Sequence, residues 1–274
     1  MLNLAPAVRN VALGLAILTA VPFAVVGRPL TAPLPDTVAM RDMTWVEVRA
    51  ALNAGFTTVI VPTGGIEQNG PHMILGKHDY IVNEAAQRIA REAGRTLVAP
   101  VVSYVPEGEY DPPTGHMRFP GTLGVPEPVF AGVLEGIARS LKAGGFKTIV
   151  FIGDHGQSQG MQAAVAERMS AAWVKDGVRV VHIGAYYDDK AQIKMLLAEG
   201  RSLEAIGQHA SIIDTSELLS VHPRGVDLAR YRRIATEPTG VSGDPSVASP
   251  ERGMSLLDMR VKAAVAEISA VVGR

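Results

Sequence analysis

Four short runs of apolar and β-branched residues, separated by stretches of helical spacing, constrain this chain more than any other feature. Thr57-Thr58-Val59-Ile60-Val61-Pro62 is the first and ends at the turn-forming Gly64-Gly65; Thr96 to Val102, Thr148 to Ile152 and Val178 to Ile183 follow. Between them, Tyr80 to Glu92 places Ile81, Ala85 and Ile89 at helical intervals, Pro126 to Ala143 closes at Gly144-Gly145, and Met161 to Val174 and Ser255 to Val271 read as further helices. Strands that are apolar throughout must be covered on both faces, and strands that alternate with helices pair in parallel. The expected class is therefore α/β with a mostly parallel central sheet. Ligands in such sheets gather beyond the carboxyl ends of the strands. The Pro/Gly-rich stretch Pro106 to Pro126 is long for a plain connection, which marks it as functional.

The N-terminus has a different composition. The first 36 residues carry only Arg9, Arg28 and Asp36 as charges, and 18 uncharged residues separate the two arginines. The apolar run from Val11 to Val26 is short for a spanning helix and suits the central region of a secretory signal. Residues 1–36 are thus expected to be a signal peptide or membrane anchor with a linker, 37–274 a single domain, and the location periplasmic or secreted. With 26 Lys+Arg against 27 Asp+Glu, the chain lacks the positive potential of a nucleic-acid binder. Zero cysteine excludes disulfides, thiolate metal ligands and a cysteine nucleophile.

Polar residues just after strands are the first chemical candidates. Glu67-Gln68-Asn69-Gly70-Pro71-His72 and then Lys77-His78-Asp79 follow the first strand; Asp154-His155-Gly156-Gln157 follows the third. Carboxylate plus imidazole at two converging strand ends is a ligand set for Zn, Mn or Fe. A competing reading sits in the same place, because Gly156-Gln157-Ser158-Gln159-Gly160 matches G-x-S-x-G, the serine-hydrolase elbow. Asp188 or Asp214 with His209 or His222 would complete that triad. Against it, Ser158 lies several residues beyond the end of the strand.

Five ordered landmarks resemble the creatininase (creatinine amidohydrolase) family over roughly residues 40 to 270. Glu67-Gln68-Asn69-Gly70-Pro71-His72-Met73-Ile74-Leu75-Gly76 is similar to its E-Q-H-G-P-H-L-P-L-G, and Phe119-Pro120-Gly121-Thr122 to its F-P-G-T. Gly145-Phe146 with Asp154-His155-Gly156 resembles G-F…N-G-H-G-G-N. His209-Ala210-Ser211-Ile212-Ile213-Asp214-Thr215-Ser216 resembles H-A-G-x-x-E-T-S, and Gly243-Asp244-Pro245 with Glu251-Arg252-Gly253 resembles G-D-P…E-x-G. The resemblance implies a three-layer αβα sandwich, assembly as a homo-oligomer (a hexamer), and hydrolysis of amide C–N bonds with one or two divalent ions.

Carried over by position, Glu67 and His155 match metal ligands and His209 a proton-handling histidine. Departures matter equally. Without a gap, Asn69 takes the place of a ligand histidine, His78 that of an aspartate bridging two ions, and Gln157 that of a glutamate ligand in some members. The expected metal set is Glu67, His78 and His155 around one ion; an insertion that moves Asp79 into the bridging place gives the two-ion alternative. His209 and Asp214 are the expected catalytic pair. Asn69, His72, Asp79, His116 and Gln157 are expected to touch substrate or to orient ligands. The expected function is that of an exported, metal-dependent hydrolase of amide bonds in a small molecule or peptide, with Zn, Mn or Fe. The alternatives are a non-catalytic binding relative and a serine hydrolase using Ser158.

Overall fold

A computed structural model describes residues 32–233 and 239–273; the expected leader falls outside them except for its last five positions. The sheet contains β1 (Thr58–Thr63), β2 (Thr96–Val98), β3 (Thr148–Gly153) and β4 (Arg179–His182), all parallel, in the order β2-β1-β3-β4. Every residue of β1 and β3 is buried, as their unbroken apolar sequence requires. The helices are α1 (Trp45–Asn53), α2 (Lys77–Ala93), α3 (Glu127–Gly144), α4 (Gln159–Trp173), α5 (Lys190–Ala198), α6 (Leu203–Ile206), α7 (Ile212–Val221), α8 (Leu228–Arg233) and α9 (Pro250–Val272).

Alternation along the strands divides the interior into two cores. Val59, Val61, Ile149 and Phe151 pack on Phe130 and Leu134 of α3 and on Met169 and Trp173 of α4. Ile60, Val150 and Ile152 face the other way, onto Ile81 and Ile89 of α2, Leu218 of α7, and Leu257, Val261 and Ile268 of α9. The result is a three-layer α/β/α sandwich. Each fully buried Ile or Phe contributes roughly 1.5–3 kcal/mol, and the central strands draw on both cores at once.

Local chemistry sets the boundaries. Thr44 and Glu47 form a reciprocal capping box that starts α1. The C-terminal helix begins at Pro250, five residues before Ser255, because Ser249 accepts a hydrogen bond from the Arg252 N–H and Pro250 suits the first helical position. β2 ends at Val98, short of Val102, since Pro100 has no N–H to donate; the ladder resumes only where Val102 N–H donates to Pro62 O at 2.9 Å. No helix among the described residues is long and apolar enough to cross a membrane.

Candidate metal centre

Beyond the carboxyl end of β1 the chain turns through Gly64-Gly65 directly against α2. A Cβ at Gly64 would come within 1.9 Å of Asp79 Oδ1, so no larger residue fits there. The Gly65 N–H donates to the same oxygen at 3.2 Å, and Ser103 Oγ donates to Asp79 Oδ2 at 2.5 Å. Asp79 therefore clamps the loop to the helix. The loop then folds back, with Glu67 N–H donating to Leu75 O and Leu123 N–H to Ile66 O, which buries the Glu67 side chain completely. Asn69 Nδ2 donates to the carbonyls of Glu67, Ile74 and Leu75, tying the loop from inside. His72 lies against α7 with Nε2 3.0 Å from Thr215 Oγ1, and burial pushes its pKa down to about 4.

The two oxygens of Glu67 face different surroundings. Oε2 lies 2.9 Å from His155 Nε2 and 3.2 Å from His116 Nε2, and Glu107 Oε2 lies 3.1 Å from the same His155 nitrogen. Glu67, Glu107, His116 and His155 each offer a ligand atom within 4.8 Å of the others. A divalent ion with ligands at about 2.0–2.2 Å needs donors of this kind and spacing, and keeps a position for water when three of them bind it tetrahedrally or all four in a five-coordinate shell. Glu107 supplies the decisive detail, for it is fully buried and neither of its oxygens has a hydrogen-bond partner among the described residues. Its ion pair with His155 Nε2 is shared with Glu67, and a buried carboxylate so partly compensated is costly, so the position suits a cation or a proton. Burial raises the Glu107 pKa against the pull of His155. Burial opposes the charge on His155 too, yet Glu107 and Glu67 lift its pKa to about 9.

Oε1 of Glu67 faces nitrogen. His78 Nε2 lies 2.6 Å away, Lys77 Nζ 3.8 Å and His209 Nδ1 3.7 Å. His78 Nδ1 pairs with Asp154 Oδ2 at 2.8 Å, and Lys77 Nζ lies 3.1 Å from Asp214 Oδ1. Arg260 of α9 reaches Asp154 at 2.6 Å and Glu217 at 2.8 Å, and donates through Nε to Tyr186 O. Burial pushes the Asp154 carboxyl up, but Arg260 and His78 hold it down at about 2; Glu217, sharing the same guanidinium, is raised by burial to about 7. Lys77 keeps its charge because Asp214 and Glu67 outweigh its burial. His209 is held down at about 4 by burial and by Lys77.

His209 is presented by a short antiparallel pairing in which Ser242 N–H donates to His209 O and Gln208 N–H to Ser242 O. Gly207, at φ +64, makes this approach; a Cβ there would meet Ser242 O at 1.7 Å. The ring then lies beside His116, 4.5 Å between centroids. A cavity of about 290 Å³ opens over these groups, walled by Gln157, Tyr187, Gln208 and Asp214.

Of the residues expected from sequence, Glu67, His155 and His116 share the four-residue cluster. His78 stands outside it, both nitrogens engaged by carboxylates. Asp214 pairs with Lys77 and accepts the Ala210 N–H; Asn69, Asp79 and His72 support loops. Gln157 is exposed on the cavity wall. Glu107, Lys77 and Arg260 were not anticipated. The length of the 106–126 loop was a signal for Glu107; Lys77 and Arg260 gave none. Ser158 is fully buried, donates to His155 O and accepts from Gln162 Nε2, and no imidazole nitrogen among the described residues hydrogen-bonds to its hydroxyl.

A family model described as "Creatininase: Creatinine amidohydrolase" matches residues 41–268. A creatinine amidohydrolase of Pseudomonas putida is 26% identical over 250 residues, covering 84% of this chain and 95% of that protein. A 3-dehydro-scyllo-inosose hydrolase of Thermotoga maritima is 25% identical over 209 residues, 75% of this chain and 62% of that one. A mycofactocin precursor peptide peptidase of Mycolicibacterium smegmatis is 26% identical over 205 residues, 71% and 77% respectively. A crystal structure of creatinine amidohydrolase superposes with a TM-score of 0.71 at 24% identity, covering 86% of this chain and 98% of that one, which establishes the shared fold. Structures described as "Creatininase Mn" and as a mutant creatininase of "Zn-Zn type" superpose with TM-scores of 0.69 and 0.70, both at 24% identity; they cover 85% and 86% of this chain and 98% of theirs.

Proposed function

The chain belongs to the creatininase family, and from that premise we propose that it is a metal-dependent amidohydrolase cutting a C–N bond in a small molecule or a peptide. The observation that carries the proposal is the buried Glu107 carboxylate, with no hydrogen bond to either oxygen, clustered with Glu67, His116 and His155. Carboxylate and imidazole without thiolate suit Zn, Mn or Fe, and the Mn and Zn forms among the structural neighbours support that choice. The amide bond is supported by relatives named as an amidohydrolase and a peptide peptidase.

An ion held by Glu67, Glu107, His116 and His155 would supply Lewis acidity, which would polarise a carbonyl and lower the pKa of a bound water from about 15.7 toward about 7. The protein's own contribution is proton handling and placement. His209 Nε2 lies 2.9 Å from both the backbone carbonyl and the side-chain amide nitrogen of Gln68, and Nδ1 faces Glu67 Oε1 at 3.7 Å. A ring held near pKa 4 passes a captured proton on readily, the property needed to release an amine leaving group. Asp214 holds the Ala210 N–H next to His209 and fixes Lys77. Gln157, Gln208 and Tyr187 on the wall offer donors and acceptors to an amide-bearing substrate, and about 290 Å³ admits one small molecule or a single peptide side chain.

The test is metal analysis of purified protein followed by hydrolysis of a panel of lactams, linear amides and short peptides. Bound divalent ion, with activity lost to chelation and restored by Mn or Zn, is the expected result. Protein that takes up neither ion overturns the proposal. We extend it to export, supported by the uncharged segment between Arg9 and Arg28, and to a homo-oligomer, supported by the family alone; N-terminal sequencing of secreted material and sedimentation check these.

A further inference from the structure

We propose that the centre holds one divalent ion per chain and that the Lys77 ammonium, with the His78 ring beside it, stands where a second ion would sit. The inference rests on the metal-dependent reading above and concerns this chain's own residues.

Glu67 is the pivot. Its Oε2 points to the four-residue cluster, and its Oε1 points to a second group of carboxylates, Asp154 and Asp214, that converge on the first turn of α2. Three carboxylates around one space are donors for another cation. That space is already served by nitrogen. Lys77 Nζ lies 3.1 Å from Asp214 Oδ1 and 3.8 Å from Glu67 Oε1 with its side chain 1% exposed. His78 bridges Glu67 Oε1 and Asp154 Oδ2 at 2.6 and 2.8 Å, and Arg260 takes the other oxygen of Asp154. An ion entering here would have to displace a buried ammonium.

The two amides nearby offer no replacement ligands. Asn69 directs its amide nitrogen at three backbone carbonyls of its own loop, and Gln157 is a neutral amide exposed on the cavity wall.

Metal-free protein is titrated with Mn²⁺, bound metal is measured by equilibrium dialysis and elemental analysis, and the EPR spectrum is recorded at saturation. One ion per chain and the spectrum of an isolated Mn(II) are expected. Two ions per chain, or the spectrum of an exchange-coupled pair, overturn this inference while leaving metal dependence intact. No bound ion removes the proposed function and this inference together. Lys77→Met, which keeps the length of the side chain and removes its charge, is expected to raise the stoichiometry from one toward two; Lys77→Arg is expected to stay at one. A folded Lys77→Met variant that still binds one ion shows that Lys77 does not exclude the second, and refutes the assignment. Should that variant fail to fold, the wild-type stoichiometry and spectrum still decide.

Discussion

Replacing Glu107 with Gln is expected to raise the stability of the metal-free protein and to remove most of the gain that a bound ion adds. In the metal-free protein Glu107 is a buried acid with no hydrogen-bond partner on either oxygen. Leaving a charged group unsatisfied in this way costs about 1–3 kcal/mol or more, and a neutral amide of the same shape removes most of that cost. For a domain of this size each kcal/mol shifts the melting temperature by about 2–4 °C, so the metal-free variant should melt about 2–12 °C higher. In the metal-bound protein the same carboxylate is a ligand. At a hundredfold excess of ion over its dissociation constant the wild type gains about 2.7 kcal/mol. An affinity loss of about 100-fold, a figure reached by disturbing even groups that only orient ligands, cuts this to about 0.4 kcal/mol. The pH sign follows from the raised pKa of Glu107. Its favourable proton is fully present below the unfolded value and is lost as pH rises through the folded value, so the variant's advantage grows with pH. Calorimetry in EDTA and in Mn²⁺, at pH 5 and pH 8, reads all three effects. A metal-free variant that melts lower than wild type, or an unchanged metal-dependent gain, would refute the assignment of Glu107.

Four further outcomes follow from the geometry. His209→Gln should lower kcat by about 10²–10⁴-fold with metal content unchanged, since the ring touches Glu67 Oε1 only at 3.7 Å; elemental analysis beside kinetics separates the two. Asn69→Ala should cost about 1–3 kcal/mol of stability by orphaning buried carbonyls, measured by denaturant titration. Ser158→Ala should keep kcat within a few fold and cost about 1 kcal/mol of stability, because its hydroxyl serves the His155 carbonyl and Gln162. Glu217 is raised to about 7 by burial, so its contribution is present below about pH 4.5 and lost as pH rises through 7; Glu217→Gln should flatten the stability profile over that window.

The sheet was legible in the sequence because its strands are buried on both faces, so their apolar runs are unbroken and hardly ambiguous. What moved were ends, and each move has a local cause: Pro100 interrupts β2, and Ser249 with Pro250 begins α9 early. The site was legible where ligands follow strands directly, as Glu67 and His155 do. It was obscure where partners come from afar. Glu107 reaches the site because Gly108 and Gly124 let its loop close tightly around it; a Cβ at either would meet Thr114 O at 2.3 Å or Glu107 Cβ at 2.9 Å. Nothing in the local pattern near Arg260 distinguishes it from a solvated helix residue, although it lies buried against Asp154 and Glu217. His78, a ligand by type and place in the sequence, has its two nitrogens 2.6 and 2.8 Å from Glu67 Oε1 and Asp154 Oδ2 in the folded chain.

Arg260 lies on α9, and that position fixes an order of events. Asp154 and Glu217 meet their guanidinium only after α9 has docked, and α9 leaves a ribosome that builds from the N-terminus after every strand of the sheet and after α7. Until then, two acids that must be buried beside the centre have no counter-charge, and the packing that places His78 against Glu67 has no reason to close. Closure of the Asp154 side of the site is thereby postponed until α9 is in place.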